Sequence, residues 1–115
     1  MFYGCTSLTI APTILPAIKL EHQCYWQMFW GCNSLTIAPE LPATTLANYC
    51  YESMFRDCTN LTYIKMLATD ISAHNCLYSW VYGITTTGTF IKNRAARWDI
   101  TGQHGVPNNW TIEYE

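Results

Sequence analysis

Residues 44–55 read TTLANYCYESMF. Apolar side chains fall at Leu46, Cys50 and Met54, each four residues after the last, and side chains four apart lie on one face of an α-helix. The spacing predicts a short helix that turns these three residues inward. Phe55 falls off that face, which places the helix end there, and Gly31-Cys32 at the matching point of an earlier copy fits a turn.

Just before this segment, SLTIA at residues 34–38 alternates polar and apolar residues. That pattern predicts a short strand with Leu35 and Ile37 on one side and Ser34 and Thr36 on the other. Pro39 and Pro42 then withhold two backbone donors and stop both the strand and an immediate helix, so the chain turns there. Strand, turn and helix form one unit, and the unit is written more than once. CYWQMFWGCNSLTIAPELPA at residues 24–43 returns as CYESMFRDCTNLTYIKMLA at residues 50–68. The dipeptide Met-Phe marks three starts, at residues 1, 28 and 54, and WVYGI at residues 80–84 is a degraded fourth. A period of 26 or 27 residues belongs to leucine-rich-repeat coils, each needing neighbours to bury its apolar side. The expected fold is therefore α/β: a short leucine-rich-repeat solenoid of about three strand-turn-helix coils over residues 1–84, closed by a β cap over residues 85–115 of the same domain. Within the cap, residues 87–93 and 109–115 read as strands.

At Met28, Phe29, Gly31, Cys32, Ser34, Leu35, Ala38, Pro39, Leu41, Pro42, Ala43, Leu46 and Cys50 the chain resembles the BspA-like leucine-rich-repeat surface proteins of bacteria, whose repeats also occur in phage proteins. The resemblance covers residues 1–84, and the tail is similar to the segment that closes such repeats. It implies non-catalytic adhesion at the cell surface or outside the cell, or on a virion, with a host protein or a glycan as ligand.

Composition narrows the other classes. Half of the 115 residues are apolar and 12% are charged, which suits one ordered domain. Six basic residues are scattered among eight acidic ones, leaving no stripe to grip phosphates, so nucleic acid is not an expected partner. No apolar run reaches the roughly 18 residues of a membrane span, and the first twenty residues lack a basic leader and align with the later copies, which reads as a repeat and not a signal peptide. Two sequons, at Asn60 and Asn109, read as coincidence.

The six cysteines form two columns, Cys5, Cys32 and Cys58 before the strands and Cys24, Cys50 and Cys76 on the helices. Three members per column leave one thiol over if neighbours pair, which favours buried free thiols as small apolar fillers, with a disulfide as the alternative. No CxxC is present, and no metal or cofactor is expected.

The letters that change between copies are as informative as those that recur. On the face opposite Leu46, Cys50 and Met54 the first copy carries His22, Trp26 and Trp30, the second Asn48, Glu52 and Arg56, and the third His74, Tyr78 and Tyr82. Stacking the copies makes these nine residues an outer patch with aromatic edges and a Glu52/Arg56 pair between. Trp, Tyr and Arg are enriched where partners bind, while isolated surface aromatics also occur without function. On the strand side Thr9, Thr36 and Thr62 form a polar ladder, read either as β-propensity or as a shallow groove for an extended peptide or sugar. Catalysis has little support: His22 and His74 stand two coils apart, His104 sits in a Gly-flanked loop without a nucleophile, and no GxSxG, HExxH or P-loop occurs. The reading is a recognition module binding protein or glycan. The strand at Leu8 to Ile10 has no coil before it, and this apolar edge at residues 1–10 reads first as the join to further coils of a longer repeat protein. The alternative is a self-assembling fibre or virion subunit, a homo-oligomer that covers the same edge with another chain.

Overall fold

The computed structural model describes residues 4–9, 12–15, 17 and 19–115. The first Met-Phe start and Ile10 at the expected N-terminal edge lie outside them. Among the described residues there is no α-helix, and three short strands make up the regular structure: β1 (Tyr63–Met66), β2 (Thr89–Lys92) and β3 (Thr111–Tyr114). They form one parallel sheet in the order β1-β2-β3, with Tyr63 beside Thr89 and Thr89 beside Thr111. The α/β leucine-rich-repeat solenoid with a helix in every coil is thereby overturned. The molecule is a small all-β and turn structure measuring 34 × 29 × 22 Å. β2 and β3 fall inside the two C-terminal segments read as strands.

The segments expected to be helical are runs of tight turns. At Cys24, Trp26, Met28, Trp30 and Cys32 the backbone N–H donates to the carbonyl three residues back. At the residues between them, Gln23, Tyr25, Gln27, Phe29 and Gly31, it donates out of the segment to Asn48, Cys50, Glu52, Met54 and Arg56, over 2.8–3.1 Å. The next copy repeats the pattern, with Tyr49, Tyr51, Ser53, Phe55 and Asp57 donating to His74, Cys76, Tyr78, Trp80 and Tyr82. An α-helix would send every N–H four residues back along its own segment. Here half of the donors are satisfied only by the neighbouring copy.

The backbone angles explain the four-residue spacing. Gln23, Gln27 and Gly31, then Tyr49, Ser53 and Asp57, then Asn75, Ser79 and Gly83 all have φ between +50° and +77°. Each is the third residue of a hydrogen-bonded four-residue turn, so these turns are type II. They alternate with turns lacking a positive φ. Successive turns reverse the chain, and a half-rotation of the central peptide at every second turn keeps all the outgoing N–H groups pointing the same way along the stack. One full alternation takes four residues, so Leu46, Cys50, Met54 and Cys58 are all buried in a strict row. On a helix the same four would drift by about 120°.

The strand side departs from expectation at one point. Leu35 is fully buried while Ile37 is 60% exposed. Leu35 N–H still closes a turn onto the Cys32 carbonyl, so the extended alternation starts only after it, and Ile37 lands on the outward face beside Tyr63. Ile14 and Glu40, Leu41 and Met66, and Thr45 and Asp70 make further isolated parallel bridges.

Between the turn ladder and the sheet lies the core. Phe29 stacks on Phe55 with ring centres 5.7 Å apart, Tyr51 and Phe55 both meet Trp80, and Trp80 meets Phe90 of β2 edge-on at 6.1 Å. Trp80 is fully buried and donates its indole N–H to Gly105 O over 2.8 Å. Trp110 donates to Thr85 O and Trp98 to Ala68 O, tying the C-terminal segment down. Gly88 is there because a Cβ would lie 2.6 Å from the Trp110 ring and 2.7 Å from the Thr62 carbonyl oxygen.

Candidate functional site

All nine residues of the expected outer patch occupy one kind of position. His22, Trp26, Trp30, Asn48, Glu52, Arg56, His74, Tyr78 and Tyr82 are each the second residue of a type II turn, immediately before a positive-φ residue. That corner points away from the core, and its carbonyl and the next N–H are the groups that bond between copies. The patch is therefore carried on turn corners and not on helix faces. The backbone of the middle copy, at Asn48, Glu52 and Arg56, is held on both sides by the ladder.

The structure joins these residues unevenly. Arg56 has its guanidinium carbon 4.5 Å from the Trp30 ring centre and 4.7 Å from that of Tyr82, so a ring from each neighbouring copy packs on it. The Glu52/Arg56 pair expected on a helix does not form: among the described residues the ion pairs are those of Lys65 with Glu40 at 2.7 Å and with Glu115 at 2.8 Å. Arg56 Nε is buried without a hydrogen-bond partner among the described residues. His22 and His74 do not meet, because Tyr49 stands between them edge-on, 5.3 Å from each ring. Asn48 Oδ1 accepts the His74 backbone N–H at 2.9 Å. Trp26 and Tyr78 are 44% and 49% exposed, and Tyr82 is 45% exposed.

Two further participants carry little signal in the sequence. Tyr49 is a positive-φ residue whose ring is drawn between two histidines by the stacking alone. His104, from the C-terminal loop, stacks on Tyr78 at 5.0 Å and accepts the Ser79 N–H at its Nδ1 over 2.8 Å. This closes the turn ladder, since Ser79 is a residue whose counterparts donate to the following copy. The Gly flanks of His104 mark a loop but not its destination.

On the sheet side Thr9, Thr36 and Thr62 are all exposed. Thr62 Oγ1 donates to Thr36 O at 3.3 Å, so one hydroxyl is spent on the coil stack. Thr9 and Thr36 line a shallow groove of about 440 Å³ with Ile37, Glu40, Tyr63 and Lys65. The carboxylates of Glu115 and Glu40 push the Lys65 pKa up, which keeps the amine charged but satisfied. The groove therefore offers apolar and hydroxyl surface, and its cation is already taken.

The cysteines are free thiols, with Cys32, Cys50, Cys58 and Cys76 buried, Cys5 half-buried and Cys24 exposed. Burial pushes Cys50 and Cys58 up to about 12 and Cys76 to about 11, so these three are protonated fillers. Among the described residues no group of three His, Cys, Asp or Glu side chains is placed to hold a metal ion, and no helix is long and apolar enough to cross a membrane. Comparison with known proteins finds no family model, no curated protein and no solved structure that matches the chain.

Proposed function

We propose that the chain is a non-catalytic recognition module that binds a protein or glycan on its outer row of turn corners. The observation that carries the reading is the exposure of Trp26, Tyr78 and Tyr82, at 44%, 49% and 45%, on turns that are hydrogen-bonded copy to copy. Aromatic rings supply large contact area at small entropic cost when they are already held in place. The likeness of the repeat to BspA-like surface proteins supports the same reading and goes with a cell-surface or extracellular setting. The test is binding of the labelled chain to a glycan array and to immobilised fibronectin and collagen. A specific signal that Trp26→Ala/Tyr78→Ala weakens by tenfold or more, about 1.4 kcal/mol, with an unchanged circular dichroism spectrum, is expected. Binding indifferent to that double substitution would remove the patch from the reading.

A second reading, a self-assembling structural subunit, is favoured by β3. Among the described residues it pairs only with β2, and Ile112 and Tyr114 are 36% and 54% exposed on it. Light scattering across a concentration series separates the two, because a subunit gains mass with concentration and Ile112→Lys abolishes the gain.

A further inference from the structure

Arg56 is a cation of the outer patch whose surroundings leave it something to do. Rings from the copies before and after pack at 4.5 and 4.7 Å from its guanidinium carbon. With a ring from the copy on each side held against the cation and Nε buried, the terminal Nη groups are the ones left to meet a partner. Among the described residues no carboxylate lies within ion-pair distance, and Nε is buried without an acceptor. A guanidinium immobilised in this way is a fork for a two-oxygen anion, and the ordering entropy of its long side chain is spent before any ligand arrives.

The next corner on each copy sets the rest of the ligand. Trp26 and Tyr78 offer half-exposed rings on either side of Glu52 in the same three-copy arrangement. Glu52 makes no ion pair among the described residues and can only accept hydrogen bonds when ionised. A simple anion would be repelled by it. A ligand that suits both corners carries a carboxylate for Arg56, hydroxyl donors for Glu52 and a flat face for the two rings.

We infer that the outer patch binds an acidic sugar, with the ligand carboxylate on the terminal Nη groups of Arg56, a ring hydroxyl on Glu52 and the sugar face against Trp26 and Tyr78. This rests on the recognition reading above and names its ligand class. Calorimetric titration of the full chain with tetragalacturonate, with its methyl ester and with tetraglutamate tests it. The expected result is an affinity for the acid at least tenfold above that for the ester, lost in Arg56→Gln, with Trp26→Ala weakening acid and ester alike. The acid-to-ester ratio is read on the unaltered protein, so it stands even if the Arg56 variant fails to fold. Equal affinity for acid and ester overturns the inference while leaving glycan recognition in place. Tetraglutamate binding as tightly as the acid overturns it in favour of acidic peptides. No binding to any of the three overturns it, and the array and matrix-protein result then decides separately whether the recognition reading survives.

Discussion

Gly83 shows how much a single residue carries in this architecture. Its φ is +76°, and a Cβ there would press onto the Asp57 carboxylate of the preceding copy, at a position where Asp57 itself has φ +60°. A left-handed conformation costs an L-residue about 1–2 kcal/mol, and Gly83→Ala adds a steric conflict that Asp57 must move to relieve. Urea denaturation is expected to show a loss of about 2 kcal/mol or more. At Gly31, with φ +77°, the nearest atom to an added Cβ is 3.6 Å away, so Gly31→Ala should lose only the conformational part. The positive-φ rows were partly visible in the letters, since Gly31, Asp57, Asn75 and Gly83 are residue types that tolerate this region. Tyr49 and Gln27 are not. Their neighbours hold them there, and nothing local announces it.

At the level of the element, the recurring interval of four is the informative feature, and two structures share it. A helix places every fourth residue within about 40° of one face; alternating type II turns place every fourth residue on the same face. A run of three apolar residues cannot separate the two, but the fourth does. Leu46, Cys50, Met54 and Cys58 are all at 6% exposure or less. Glycine gives a test with opposite signs. Replacing an exposed helical residue by Gly costs about 1 kcal/mol, whereas Gln27, half-buried with φ +54°, is strained as it stands. Gln27→Gly is expected to leave stability unchanged or raise it by up to about 1 kcal/mol. A drop of 1 kcal/mol in the denaturation free energy would mean the segment is helical. The same element explains why the outer patch was readable without its correct backbone: corners of type II turns and the outer face of a helix both recur every four residues. The cross-copy contacts were not readable. Arg56 between Trp30 and Tyr82 depends on which copies touch, and the Glu52/Arg56 pair fails because turn corners do not follow the geometry of adjacent helical turns.

For the whole molecule, stability depends on copies staying in register. Trp80 meets Tyr51, Phe55 and Phe90 and donates to Gly105, so it joins the turn ladder, the sheet and the C-terminal loop. Trp80→Ala is expected to cost about 3–5 kcal/mol and to lower the thermal midpoint of the entire fold in a single transition. Buried thiols add a dependence on alkaline pH. Cys50 and Cys58 have pKa values of about 12 and Cys76 of about 11 in the fold, against an ordinary value near 9 in the open chain. The folded state therefore keeps protons that the unfolded state releases, and stability falls as pH rises through the interval from about 9 to 12. Below pH 8 these thiols should leave the urea midpoint flat. Alkylation with iodoacetamide at pH 8 should reach exposed Cys24 long before Cys50.

The repeat period, the inward rows of Leu, Cys and Met and the outward row from His22 to Tyr82 are legible in the letters, because the same backbone recurs; burial also needs neighbours, so Cys24 of the first copy is exposed where Cys50 and Cys76 are buried. The conformation that produces the recurrence is not. Half of the N–H groups in each run of turns have no acceptor within the run, and each left-handed residue other than glycine is unfavourable alone by about 1–2 kcal/mol. A single copy taken in isolation would gain more from a helix, which satisfies its own donors. Stacking changes the balance: the carbonyls of Asn48, Glu52 and Arg56 meet the N–H groups of Gln23, Gln27 and Gly31, and those of His74, Tyr78 and Tyr82 meet Tyr49, Ser53 and Asp57. Those bonds exist only between copies, so the choice between helix and turn ladder belongs to the assembled molecule.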